Sequence, residues 1–230
     1  MRILGIDTAT WRASVGLRVG ERLVCERSQL ADGSHAISLL RLIDDVLQAG
    51  DCAVGDLDAV AVSGGPGSFT GLRIGLSVAK GLAYATGARL ISVPTLEALA
   101  RTVADRGTAG GTAICALLDA RKGEVYAACF APTSDGLQRL TDDLLLTPEA
   151  LVDRLPRPCV LLGDGVAAYG AFLQSRLREG VTLLPYDRYG PRGGVVATLG
   201  AERWRAGLVD AFASLEPAYI RPSEAELKAS

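Results

Sequence analysis

Short apolar runs and apolar positions at helical spacing alternate along most of the chain. Near the start, residues 2–6, 14–19 and 22–26 are either apolar or alternate between apolar and polar residues, which predicts three strands. Apolar residues at helical spacing then run from Ala36 to Leu47 and predict a helix that Ser34 caps. Because its apolar face is wide, we expect this helix to bury one side on its own sheet and another side on a second surface.

A glycine-rich loop is the most distinctive stretch of the sequence. The run Ala59–Val62 predicts a buried strand, Ser63–Gly71 a tight loop, and Leu72–Ala85 a helix that Thr70 caps. The loop lacks the Lys-Ser/Thr pair that ends a Walker A motif, and its glycine spacing is one residue too wide for a Rossmann fingerprint. It therefore matches neither common nucleotide-binding loop.

Small residues recur at every fourth position of the helix that follows this loop, at Gly71, Gly75, Ala79 and Ala83. Glycine inside a helix costs about 1 kcal/mol relative to alanine. Close approach of a second backbone would compensate for that cost. Both a partner chain and the chain's own sheet fit this stripe, and the sequence leaves the two open.

The second half of the chain repeats the pattern of the first. After a linker of small residues at 106–112, an apolar strand again ends in an aspartate, Asp119, as the first strand ends in Asp7. Strands and helices then alternate, which predicts an α/β fold of two related lobes with mixed sheets flanked by helices. We expect a first lobe over 1–106 that is rejoined by a helix near 193–208, a second lobe over 112–190, and an extended tail over 209–230.

Composition excludes several classes of function. The 230 residues carry a net charge of −2, so no excess of positive charge favours direct binding of nucleic acid. No apolar run is long enough to span a membrane, and no signal-peptide pattern is present, so we expect a cytoplasmic protein. The five cysteines form no CxxC pair and are expected to be reduced, buried thiols. The single histidine, His35, excludes a metal site with two histidine ligands from one chain.

Several segments together resemble the TsaB (YeaZ) family. They are Gly5–Thr8, the helix start at Ser34 and His35, Gly64–Gly75, Asp119–Tyr126 and Pro217–Arg221. The resemblance implies an actin-like fold and an accessory subunit of the bacterial complex that forms threonylcarbamoyladenosine at position 37 of tRNA. It implies binding to a TsaD-like catalytic paralogue and a TsaE-like ATPase, homodimers of the chain alone, and contact with tRNA only through the complex.

The resemblance also implies that the chain has no catalytic residue, metal or cofactor of its own. The catalytic paralogue holds a metal with two histidines four residues apart, whereas here Leu39 stands four residues after His35. The first two helices are expected to form the dimer interface through His35, Leu39, Ile43, Leu72, Arg73, Gly75, Leu76 and Ala79. A bulky residue at Gly75 or Ala79 should then abolish association and leave the monomer folded.

A vestigial nucleotide site is the remaining expectation. In actin-like ATPases, an aspartate and hydroxyl groups near the turn after the first strand contact the phosphates. The matching residues here are Asp7, Thr8, Thr10, Gly65, Gly67 and, in the second lobe, Asp119. The alternative is that the aspartates only end strands and accept local hydrogen bonds. Two other functions stay open: an actin-like phosphotransferase or ATPase, and an M22-type glycoprotease-like metallopeptidase.

Overall fold

The computed structural model describes residues 1–30, 35–134, 136–177 and 179–221, and for His35 the backbone alone. The predicted cap Ser34 lies outside these residues. The strands are β1 Arg2–Asp7, β2 Arg12–Val19, β3 Arg22–Leu30, β4 Ala59–Gly65, β5 Arg89–Pro94, β6 Ala113–Arg121, β7 Glu124–Thr133, β8 Gly136–Arg139, β9 Leu144–Leu146, β10 Cys159–Leu162 and β11 Val181–Leu183. The helices are α1 His35–Ala49, α2 Phe69–Thr86, α3 Thr95–Ala104, α4 Pro148–Arg154, α5 Asp164–Arg176, α6 Tyr186–Tyr189 and α7 Gly193–Arg205, with a short 3-10 turn at Val54–Asp56. In the described ranges, no helix is both long and apolar enough to cross a membrane.

The first lobe is built on a mixed sheet of order β3-β2-β1-β4-β5. β1 pairs antiparallel with β2 and parallel with β4. Apolar side chains of α1 and α2 pack on one face of this sheet, where Leu4 and Leu17 meet Leu39 and Leu76. α3 and α7 cover the other face.

The second lobe is built on a mixed sheet of order β11-β10-β6-β7-β8, with β9 pairing with β7. One face packs against α3, through Leu96 and Leu99, and the other packs against α4 and α5. Because α3 contributes to the cores of both sheets, the helix lies between the lobes. Two mixed sheets flanked by helices confirm the predicted α/β class.

α7 returns to the first lobe after the second lobe is complete. Its backbone lies so close to β1 that a Cβ on Gly5 would be 2.1 Å from the carbonyl oxygen of Gly193. The N-terminus of the helix is held by the first sheet. Ser14 Oγ accepts the Gly193 N–H at 2.9 Å, and Glu26 Oε1 accepts the Gly194 N–H at 2.8 Å. A carboxylate at this end also complements the helix dipole.

The C-terminal segment, residues 207–221, has no regular secondary structure and runs back across the first lobe. Asp210 covers the edge of β5, donating to the Leu90 carbonyl at 3.1 Å and accepting from the Ser92 N–H at 2.6 Å. At the other end, Arg221 donates to the Ala120 carbonyl at 2.7 Å and pairs with Glu124. This segment, called the tail below, therefore links the first sheet to the β6–β7 hairpin of the second lobe.

The cysteine prediction is wrong for one pair. Cys115 and Cys129 lie opposite each other on β6 and β7 and form a disulfide, with their Cα atoms 4.1 Å apart. The pairing follows from the register of the two strands, which no local sequence motif predicts. Cys25, Cys52 and Cys159 are free and buried, as expected.

Candidate functional site

The glycine-rich loop presents α2 at the carboxyl end of β4. Ser68 caps the helix, because its Oγ accepts the Gly71 N–H at 3.2 Å. The prediction that Thr70 caps the helix is wrong by two residues, because Thr70 lies in the first turn. Gly87 ends the helix in the left-handed conformation, with φ of 75°.

The small-residue stripe of α2 packs on the chain's own first lobe. Gly71, Gly75, Ala79 and Ala83 are all buried. A Cβ on Gly75 would lie 2.2 Å from Oγ1 of Thr8, and one on Gly71 would lie 2.0 Å from the Thr8 carbonyl oxygen. Thr8 Oγ1 also donates to the Gly71 carbonyl at 2.7 Å. Of the two interpretations left open by the sequence, packing on the own sheet is therefore correct for this stripe.

Most residues predicted for the dimer interface lie inside the chain. The buried ones are Leu39, Ile43, Leu72, Gly75, Leu76 and Ala79. Arg73 is exposed, and the side chain of His35 is outside the described residues. A side chain that is already covered adds no area to an interface, so an interface on α1 and α2 has to use their outer sides. The clash at Gly75 also corrects the expectation that a bulky residue there would leave the monomer unaffected.

The outer sides of α1 and α2 expose large apolar groups. Ile37 and Leu40 on α1 are 60% and 51% exposed, and Tyr84 on α2 is 81% exposed. Ser77 and Gly81 lie on the exposed side of α2, and a Cβ on Gly81 would meet no atom within 4 Å. We call these five residues the outer surface.

The tail borders the outer surface along one flank of α2. Tyr219 OH accepts a hydrogen bond from Arg73 Nε at 2.9 Å, and the Arg73 guanidinium carbon lies 3.9 Å from the centre of the Phe69 ring. Nearer the end of α2, the rings of Tyr84 and Phe212 are 5.9 Å apart. Arg73 therefore has an intramolecular role that the sequence did not indicate.

The predicted nucleotide-site residues of the first lobe form hydrogen bonds with other side chains and with the backbone of the chain. Asp7 is buried, and it accepts hydrogen bonds from Ser63 Oγ at 2.6 Å and from the Ala9 N–H at 3.0 Å. Burial raises the pKa of the Asp7 carboxyl, and these two hydrogen bonds oppose that rise. Thr10 Oγ1 lies 2.6 Å from the hydroxyl of Tyr186. This local pattern fits the alternative in which Asp7 ends a strand.

Atoms of the chain itself occupy the space beside the two glycines of the predicted site. A Cβ on Gly65 would lie 2.6 Å from the carbonyl oxygen of Ala218 in the tail, and one on Gly67 would lie 2.5 Å from that of Ala9. The Gly65 N–H donates to Thr95 Oγ1 at 3.1 Å. Backbone atoms thus occupy the space that these glycines leave.

Asp119 lies in the second lobe beside a second aspartate, Asp164. Asp119 accepts from the Arg121 N–H at 2.8 Å and pairs with the Arg121 side chain at 3.1 Å. Its own N–H donates to Asp164 Oδ1 at 3.0 Å. Burial, reinforced by the charge of Asp119, raises the pKa of Asp164 to about 6. Among the described residues, no group of three or more His, Cys, Asp and Glu side chains is placed to hold a metal ion.

Comparison with known proteins identifies the family. A family model described as TsaD: tRNA N6-adenosine threonylcarbamoyltransferase matches residues 28–226. The Escherichia coli tRNA threonylcarbamoyladenosine biosynthesis protein TsaB is 32% identical over 228 residues, which are 96% of this chain and 95% of that protein. The chain belongs to the TsaB family. The Bacillus subtilis TsaB is 28% identical over 99% of this chain and 97% of its own length.

Solved structures agree with the TsaB family assignment. YeaZ from Pseudomonas aeruginosa has a TM-score of 0.80 at 26% identity and covers 95% of this chain and 99% of its own. The activator of 2-hydroxyisocaproyl-CoA dehydratase from Clostridium difficile has a TM-score of 0.54 at 13% identity, covering 90% of this chain and 97% of its own, and shares the fold alone. The predicted actin-like fold is confirmed.

Two residues of the interlobe region were missed by sequence reasoning about this TsaB-family chain. Asp164 follows an apolar strand, as Asp7 and Asp119 do, so the same pattern could have identified it. Tyr186 stands in a helix of four residues, which is too short to show helical periodicity. No signal in the sequence therefore pointed to it.

Proposed function

We propose that this chain is a non-catalytic, accessory subunit of the machinery that forms N6-threonylcarbamoyladenosine in tRNA, and that it acts by binding a TsaD-like catalytic partner. The relatives in E. coli and B. subtilis carry the name of that biosynthesis, and the matching family model is that of the transferase itself. Kinship with the transferase is consistent with pairing between two related chains.

The outer surface is the observation that carries the proposal. The inner sides of α1 and α2 are filled by the chain's own core, whereas Ile37, Leu40 and Tyr84 remain exposed. Exposed apolar patches on a folded chain mark sites of protein association. A standard interface buries about 800 Å² on each partner, an area that two helices and their surroundings supply. Gly81 adds a point where a partner helix could approach the α2 backbone closely.

The non-catalytic part of the proposal rests on the interlobe residues. The carboxylates of Asp7 and Asp119 both accept hydrogen bonds from donors of this chain. Hydrogen bonds of this local kind are those that a carboxylate at the end of a strand makes with nearby backbone and side chains. This arrangement supports a structural role for both aspartates.

Gly81→Arg is the variant that tests the surface. Arginine is a better helix former than glycine, and a Cβ at Gly81 meets no atom, so the monomer should stay folded. Gly170→Arg in α5 is the matched control, because that helical glycine also has no atom within 4 Å of its Cβ. Isothermal titration with the TsaD-like subunit should show a loss of about tenfold or more, roughly 1.4 kcal/mol, for the Gly81 variant alone. Equal affinity of the two variants would place the interface elsewhere.

An omission assay tests the function itself. Threonylcarbamoyladenosine is quantified in tRNA after reconstitution with the TsaD-like subunit, a TsaE-like ATPase and a source of threonylcarbamoyl-AMP, with and without this chain. We expect modification to require the chain, and undiminished modification in its absence would reject the accessory role. Binding to the TsaE-like ATPase, homodimer formation, and contact with tRNA only within the complex remain further parts of the same proposal.

A further inference from the structure

α6 connects the cores of the two lobes through its two tyrosines. At its end, Tyr189 is buried in the core that α3 shares with the second sheet. At its start, Tyr186 is buried against the turn after β1 of the first lobe. A helix of four residues thus places one aromatic side chain in each lobe.

The turn after β1 and the first residue of β2 meet α6 with three consecutive residues. Thr10 Oγ1 is 2.6 Å from the Tyr186 hydroxyl, and the Trp11 ring centre is 4.6 Å from that of Tyr186, at an interplanar angle of 41°. Arg12 pairs with Asp187 at 3.5 Å. A hydrogen bond, a ring contact and an ion pair therefore join the same two segments.

Carboxylates of both lobes also affect the phenol of Tyr186. Burial raises its pKa, and the charges of Asp164 in the second lobe and Asp7 in the first raise it further, against the opposing hydrogen bond with Thr10. The phenol therefore keeps its proton, which leaves its hydroxyl able to donate or accept in the bond with Thr10.

We propose that Tyr186 is an interlobe lock: its hydroxyl hydrogen-bonds with Thr10 and its ring packs on Trp11, so that α6 holds the two lobes in one relative orientation. The chain then behaves as one rigid body. This inference stands on the contacts of α6 with the first lobe and does not depend on the proposed partner.

Single-molecule FRET between the lobes tests the lock. Dyes are attached to cysteines introduced at Gly81 in α2 and Gly170 in α5, both open positions, while the three free native cysteines are buried. The chain with Tyr186 intact should give one narrow distance distribution. Tyr186→Ala should add a second population at another distance, whereas Tyr186→Phe, which keeps the ring, should add far less of it.

Two controls make the outcome decisive. Tyr84→Ala removes an exposed tyrosine of α2 that is not among the contacts of α6 described above, and it should leave the distribution narrow. If Tyr186→Ala does not fold, Trp11→Ala removes the ring contact from the partly exposed side and should broaden the distribution by itself. A folded Tyr186→Ala or Trp11→Ala chain with an unchanged distribution, or a second population already present in the unaltered chain, would overturn the proposal.

Discussion

Alanine at Gly75 should destabilise the folded chain, whereas alanine at Gly81 should stabilise it. Both glycines lie inside α2, so each substitution gains about 1 kcal/mol of helix propensity. At Gly75, however, the new Cβ would lie 2.2 Å from Thr8 Oγ1, whereas at Gly81 it meets nothing within 4 Å. The two variants therefore differ in packing and share the change in backbone preference.

The size of this difference in stability follows from how the Thr8 side chain must move to make room for the new Cβ. Overpacking of a filled site costs about 1–3 kcal/mol. Moving the Thr8 side chain also breaks its 2.7 Å hydrogen bond to the Gly71 carbonyl, at a further cost of about 1 kcal/mol. After subtraction of the propensity gain, Gly75→Ala should lower the free energy of unfolding by roughly 1–3 kcal/mol. The gap to Gly81→Ala is then about 2–4 kcal/mol.

Chemical denaturation of both variants at equal protein concentration measures this gap. In thermal unfolding it corresponds to a difference in midpoint of roughly 4–16 °C for a chain of this size. Thr8→Ala in the Gly75→Ala background removes the clashing atom and should recover part of the loss, which a double-mutant cycle quantifies. Equal stability of the two alanine variants would refute the packing of the stripe on Thr8.

Two further predictions concern the second lobe. The pKa of Asp164 is raised to about 6 from an ordinary value of 3.8, so the folded state holds its proton more tightly than the unfolded state, and stability should fall as pH rises from about 4 to about 6. Asp164→Asn should flatten that fall in pH-dependent unfolding, while Asn at the exposed Asp142 should not. Reduction of the Cys115–Cys129 disulfide, which spans a sequence separation of 14, should lower the free energy of unfolding by about 3 kcal/mol. The thermal midpoint should drop on adding reductant in the native chain but not in a variant with alanine at both cysteines, and an equal response of the two would contradict the assignment.

Periodic segments were the part of the fold that the sequence predicted well. The apolar spacing of 36–47 placed α1, observed at His35–Ala49, because a helix that covers a sheet needs one continuous apolar side. The cap of α2 was misplaced because Ser68 and Thr70 both carry a hydroxyl near the first turn, and only backbone geometry selects one.

Tertiary partners were harder to predict than elements. Helical spacing places Gly71, Gly75, Ala79 and Ala83 on one side of α2 but carries no information about which surface that side meets. The pairing of Cys115 with Cys129 depends on the register of two strands, and the position of Tyr186 depends on how the lobes meet. The contacts of the stripe and of Tyr186 join parts of the chain that are far apart in sequence, and the disulfide depends on pairing across a hairpin, so a local pattern encodes none of them.

The return of α7 to the first sheet affects how the chain folds as it is synthesised. Ile3 and Ala61 are covered by Val196 and Ala197, which the ribosome adds about 100 residues after β5 is complete. At about 5–20 residues per second, that interval lasts roughly 5–20 s. During it, one apolar face of the first sheet lacks the part of its cover that α7 supplies, while the strands and helices of the second lobe, continuous from β6 to β11, are synthesised. The second lobe is thus able to complete its core before the first, in reverse of their order along the chain.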